Sequence, residues 1–228
     1  MNEKKPLNFD FLDESPKKSD EKVTVPVAAS EPIHGTTFFQ YFKECLTNFS
    51  EFAKQNLVTA KPKYLLVAVW VLGIGNAADQ LTSSNSSDWA ELWIIAIFGG
   101  IFSGVFAYYI SGWFYHVRVK WSKGTGTIGT SRNIYIFSSL PIAIVGIGLK
   151  FFNHVAYGSD YFATYYSDAS DIDVIFSLLY LAAIIYSIYI SYRATRVVMR
   201  VEKKRAIGWF IVAPTLFYIL VFVVAILG

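Results

Sequence analysis

The chain has 228 residues, 54% of them hydrophobic and 16% charged, with 20 Lys/Arg, 17 Asp/Glu and one cysteine. Soluble domains average about 45–50% apolar and about 25% charged residues, so the composition excludes an ordinary soluble fold. The lone Cys45 excludes a disulfide-stapled secreted fold and a Cys-rich zinc module, and a net charge of +3 is too small to point to nucleic acid.

The charge is unevenly spread. Residues 1–63 hold 9 Lys/Arg and 9 Asp/Glu, leaving 19 charged residues over the other 165. Residues 1–35 mix both signs with four prolines and no apolar period, which predicts a disordered cytoplasmic tail. They contain no apolar run of signal-peptide length, and Asn2 stands where myristoylation needs glycine. Over 36–60 the apolar residues Phe38, Phe39, Phe42, Cys45, Leu46, Phe49, Phe52, Ala53 and Leu57 recur at helical steps, predicting an amphipathic helix. Such a helix either lies in the headgroup plane or packs its stripe on a bundle or partner. Cys45, on the apolar face, reads as a buried thiol.

The remaining chain, 61–228, parses into segments long enough to cross a bilayer core, which needs about 20 mostly apolar residues. Five qualify, at about 64–81, 90–116, 133–152, 173–192 and 207–228. The fold class expected is therefore all-α: a polytopic bundle of five transmembrane helices. The second segment, 27 residues or about 40 Å, must tilt or project.

Lys61 and Lys63 precede the first span; Arg118, Lys120, Lys123 and Arg132 follow the second; Arg193, Arg196, Arg200, Lys203, Lys204 and Arg205 follow the fourth. The loops 82–89 and 153–172 hold no Lys or Arg and carry Asp88, Asp160, Asp168 and Asp171. The positive-inside rule then predicts a cytoplasmic N-terminus and an extracytoplasmic C-terminus. Trp89, Trp93, Trp113, Trp121 and Trp209 fall near span ends, where an aromatic belt belongs.

Small residues let helices approach closely in lipid. On the second span Gly99, Ser103, Ala107 and Ser111 step by four beside Gly100, Gly104 and Gly112; on the fourth, Ala183, Ser187 and Ser191 repeat the device. These faces pack the bundle internally or join two copies. Pro141 and Pro214 each remove a backbone donor and predict kinks in the third and fifth spans.

Few motifs carry chemistry. Gly124-Thr125-Gly126-Thr127-Ile128-Gly129 matches G-x-G-x-x-G, yet it follows a membrane helix rather than a strand, so it reads as a flexible turn with Thr130 or Ser131 capping the next span. Asp79, Glu91 and Lys150 fall at the same outer boundary, near Asn76, Gln80, Asn153 and His154, and form a polar cluster that serves as interfacial anchor or transport site. His34, His116 and His154 are the only histidines, with no H-E-x-x-H and no G-x-S-x-G, so neither a catalytic set nor a metal or cofactor site is expected. The basic run 193–205 is the orientation signal and could also meet anionic lipid headgroups.

The passage Tyr109-Ile110-Ser111-Gly112-Trp113, then Gly124 to Gly129, Thr130-Ser131-Arg132-Asn133-Ile134-Tyr135-Ile136-Phe137-Ser138-Ser139-Leu140-Pro141, resembles the Yip family of integral membrane proteins, named for eukaryotic members that interact with Ypt/Rab GTPases. The resemblance implies a polar N-terminal region inside, a helix before the bundle, five spans, and a Gly-rich inner loop leading into a Pro-containing span, with Gly124, Gly126, Gly129 and Pro141 as its family-like positions. The chain lacks the Asp-Leu-Tyr-Gly-Pro signature of the eukaryotic members, which favours a prokaryotic relative in the cytoplasmic membrane. The function expected is a non-enzymatic membrane scaffold or adaptor that binds protein or lipid partners on the cytoplasmic face. The partners expected are the bilayer itself and a membrane protein or second copy, with no nucleic acid. The alternative is a small transporter or channel subunit using the kinked third and fifth spans.

Overall fold

A computed structural model describes residues 37–59, 61–81, 89–157 and 171–227, all within the unit Pro32–Gly228. The 1–35 tail and the loop residues Asp88, Asp160 and Asp168 lie outside the described residues, as does the side chain of Asp79.

The described residues are all-helical, without a strand. In chain order, α1 is Phe38–Thr47, and α2 is Phe49–Phe52, continued by a π turn at Ala53–Leu57. Then come α3 (Leu65–Leu81) and α4 (Trp89–Phe106), which runs through a π turn at Ala107–Ser111 into α5 (Gly112–Trp121). The chain continues with α6 (Ile128–Tyr157), α7 (Asp171–Met199) and α8 (Lys203–Ile207), the last leading through a π turn at Gly208–Val212 into α9 (Ala213–Leu227).

Among the described residues, three stretches are long and apolar enough to cross a membrane: Ala90–Trp121, Ile128–Ala156 and Val174–Met199. Leu65–Ala78 is apolar but shorter. α6 and α7 overrun the predicted spans, α7 continuing seven residues beyond 192. Arg193 and Arg196 extend that helix because their charge limits burial in lipid, not helicity, and Arg is a good helix former. The outward surface fits a lipid-facing one: Phe98, Phe102 and Phe106 on α4 and Leu178 and Ile185 on α7 are all exposed.

The amphipathic segment folds as two pieces, not one. Asn48 takes φ −132° and ψ 55° between α1 and α2, so the helix breaks there. The Thr37 hydroxyl and Gln40 side chain cap α1 reciprocally. Of the two docking modes expected for this segment, packing on the bundle is observed: Tyr41, Cys45, Phe49, Phe52, Ala53 and Leu57 are buried in the same core as Phe137, Leu140 and Ala194. Phe38 and Phe39, expected on the buried stripe, are exposed, Phe39 at 82%. The buried ridge passes through Tyr41 instead, whose ring meets Phe137 edge-on at 6.1 Å.

The α3–α4 crossing is set by glycines. A Cβ on Gly73 would meet Gly100 O at 1.8 Å, one on Gly104 would meet Val69 O at 2.2 Å, and one on Gly100 would meet Ile74 N at 2.8 Å. Backbones that close gain dispersion contact that any side chain would forfeit. Trp70 Nε1 donates across the crossing to Ile97 O at 2.8 Å. Gly99 does not face α3: a Cβ there would meet nothing within 4 Å, because a step of one residue turns it off the contact.

Candidate functional site at the basic end of the bundle

The end of the bundle that carries 122–127 and 200–205 is built by side chains that satisfy freed backbone groups. The break at Asn48 and the π turn at Ala53–Leu57 leave carbonyls without helical partners. Tyr186 OH on α7 donates to Leu46 O. Asn133 Nδ2, fully buried near the start of α6, donates to Leu57 O at 3.2 Å and Thr59 O at 3.0 Å. The docked segment is thus held at its central break and at its C-terminal end by polar groups from two bundle helices.

The two loops of this end are joined directly. Thr125 N donates to Met199 O at 3.0 Å, and Glu202 N donates to Ser122 O at 2.9 Å. Lys123 ends α5 in a left-handed conformation, φ 56°, with Lys123 N to Lys120 O and Gly124 N to Val119 O both at 2.9 Å. That is the two-bond C-terminal cap in which glycine is the usual residue. Gly124 follows because a Cβ would strike Val119 Cγ1 at 2.6 Å and Val201 Cγ1 at 2.7 Å; a Cβ on Gly126 would come within 1.8 Å of Met199 Sδ. Gly129 is different, with only Thr127 Oγ1 at 3.8 Å. The glycine-rich motif is therefore a packed turn, and Gly124 and Gly126 are the positions that need it. Thr127, rather than Thr130 or Ser131, caps α6: its Oγ1 accepts from Thr130 N at 3.2 Å.

Five charged groups finish this end. Glu202 pairs with Lys123 at 3.5 Å and Arg205 at 3.2 Å. Arg118 donates from Nε and Nη2 to Trp209 O at 2.8 and 2.5 Å, and its guanidinium lies 4.6 Å from the Phe210 ring centroid. Pro214 has no N–H to give Phe210 O, and the preceding turn widens to the π form, exposing carbonyls that Arg118 answers. The Trp121 and Trp209 rings meet at 4.5 Å, tilted by 43°. Arg132 takes another course: its stem crosses Gly112, where a Cβ would meet Cγ at 2.6 Å, and its guanidinium lies 4.7 Å from Tyr109 and 5.5 Å from Tyr108. His116 Nδ1 meets Ser131 Oγ at 2.8 Å, and Ser131 Oγ also donates to Thr127 O at 3.0 Å.

The α5–α7 contact is polar as well. Tyr115 OH bonds Ser191 Oγ at 2.9 Å and reaches Thr195 Oγ1. Of the predicted packing residues, Ala107, Ala183 and Ser187 are buried, while Ser103 and Ser111 are partly exposed. Pro141 is buried inside α6, one turn after Ser138 and Ser139 return hydrogen bonds to Tyr135 O. At the opposite end Trp93 Nε1 donates to His154 Nδ1 at 3.0 Å, tying α4 to α6. Glu91 is exposed and Lys150 partly exposed there; the predicted outer cluster also needs Asp79, whose side chain lies outside the described residues. Sequence reasoning missed Tyr41, Gly73, Asn133 and Tyr186. For Gly73 the signal was present, since Gly73 and Ala77 are small residues one turn apart on α3.

The Yip1 domain family model matches residues 43–226, which takes in α1 from Lys43 onward and every later helix. The chain belongs to the Yip1 domain family. No curated protein and no solved structure matches the chain. As a Yip1 domain protein with three apolar helices of membrane-crossing length, it is an integral, multi-pass membrane protein. Within the Yip1 match lie Gly124, Gly126 and Pro141, which the structure makes a loop-packing turn and a buried helix interior.

Proposed function

We propose that this Yip1 domain protein is a non-enzymatic scaffold or adaptor with five spans in a bacterial cytoplasmic membrane, N-terminus inside and C-terminus outside, binding protein or lipid partners on its cytoplasmic face. Three spans are the long helices; α3, and α8 and α9 taken together through their π turn, supply the other two. At about 25 Å, the 17 residues of α3 cross by thinning the bilayer slightly.

The observation that carries this reading is how the basic end spends its polar side chains. The side chains of Arg118, Asn133 and Tyr186 bond to the chain's own backbone, Glu202 pairs with Lys123 and Arg205, and His116 bonds Ser131, so they assemble a platform rather than converge on a reacting atom. Gly99, free of internal packing, offers a place for another membrane helix, including one from a second copy. Crosslinking in native membranes followed by purification tests the proposal: a retained partner or self-association is expected, and a protein recovered alone from every crosslinking condition contradicts it.

A further inference from the structure

We propose that Arg132 is the anchor of a binding site for the phosphodiester of an anionic phospholipid, set between α4–α5 and the start of α6. The inference deepens the lipid arm of the proposed function and rests on its placing the basic end in the cytoplasmic headgroup layer.

Two arginines reach toward π turns at this end, and they are used differently. The guanidinium edge of Arg118 is occupied by Trp209 O. Arg132 has its face on Tyr108 and Tyr109, but among the described residues its guanidinium makes no hydrogen bond or ion pair, and its Nε is buried and unpartnered. Stacking on rings satisfies the face of a guanidinium and leaves its in-plane donors unspent. A half-buried guanidinium with no carboxylate on it is costly unless an anion meets its outer N–H groups. Two described carboxylates at this end are paired with other cations: Glu51 with Lys54 at 2.6 Å, and Glu202 with Lys123 and Arg205.

The surroundings select the class of anion. Gly112, His116 and Lys120 follow at steps of four along one ridge of α5, so the bare glycine admits the Arg132 stem and two further nitrogen-bearing groups line the same row toward the headgroups. Tyr109 is 53% exposed among apolar neighbours such as Phe106 and Ile110, which offers acyl chains a surface directly beside the guanidinium. A fork of parallel N–H donors matches two oxygens of a phosphodiester, and the apolar wall matches the chains attached to it.

Native mass spectrometry and thermal shift of the full chain, in uncharged detergent, test the site with three probes: dihexanoyl phosphatidylglycerol, dihexanoylglycerol and inorganic phosphate. Saturable binding of phosphatidylglycerol is expected, with Arg132→Gln weakening it about tenfold or more, the worth of a charge-assisted pair of hydrogen bonds. Arg132→Lys, which keeps the charge and guards against a folding defect in the first variant, is expected to fall between. Equal binding of dihexanoylglycerol would mean an apolar groove, and equal binding of inorganic phosphate a simple ion site; either overturns the proposal. So does unaltered binding in Arg132→Gln, or an equal loss in Lys203→Gln/Lys204→Gln, which would mean a diffuse basic surface. Partner capture by crosslinking is read separately, so failure of this site and failure of the scaffold reading are distinguishable.

Discussion

Arg118 of α5 caps Trp209 of the π turn before α9, giving two N–H donors to a single carbonyl, 91 residues away in sequence. This bond ties the turn before the last helix to α5, and the Trp121 and Trp209 rings meet at 4.5 Å. Replacing Arg118 with Met removes the charged donors and is expected to lower stability by about 1.5–3 kcal/mol. Arg193→Met, on an exposed arginine bonded to Tyr189 OH at 3.0 Å, is expected to stay within about 0.5 kcal/mol. Thermal unfolding in detergent compares the pair.

The α3–α4 crossing predicts a sharp contrast between neighbouring glycines. Gly73→Ala, whose Cβ would overlap Gly100 O, is expected to cost about 1–3 kcal/mol or more, since backbone cannot yield as a side chain can. Gly99→Ala, in open space, is expected to change stability by less than about 0.5 kcal/mol. Unfolding midpoints of the two variants, measured side by side, give the answer.

Much of the architecture is legible in the sequence because membrane helices announce themselves by length and hydropathy, and the overrun of α7 past 192 is small against that signal. The basic end is less legible. Arg118 and Arg132 both count as orientation charges in a linear reading; what separates them is a π turn and a pair of tyrosine rings, and an i→i+5 turn leaves no mark in the hydrophobic period. The break at Asn48 is hidden because the apolar stripe resumes after one residue. Asn133 reads as the edge of a span until Leu57 O and Thr59 O are placed against it.

The joined loops predict coupling between Gly126 and Met199. Gly126→Ala forces the buried Met199 thioether aside and is expected to cost about 1–3 kcal/mol. Shortening Met199 to Ala makes room for that methyl, so the double variant is expected to lose less than the sum of the singles, by about 0.5–3 kcal/mol. A double-mutant cycle of unfolding free energies checks this; strict additivity would mean that the two loops do not bear on each other.

Burial pushes the Cys45 thiol well above its ordinary range. The folded protein therefore holds that proton more tightly than the unfolded chain does. The resulting stabilisation is complete below the ordinary thiol value of about 8.5 and is lost as pH rises beyond it. Maleimide labelling at pH 8 to 9 is expected to be negligible in the folded protein and rapid after denaturation in SDS. Rapid labelling without denaturant would show that α1 is not docked.

The most direct test of the whole account is topology by cysteine accessibility. On a Cys45→Ser background, single cysteines replace Ser84, Thr125, Ser167 and Gly228 and are probed in intact cells with an impermeant thiol reagent. Labelling from outside at 84, 167 and 228, with 125 labelled only after the membrane is opened, is the predicted result and places the basic end in the cytoplasm. Protection of residue 228, or outside labelling at 125, would contradict the five-span arrangement and remove the basic end from the headgroup layer on which both proposals depend.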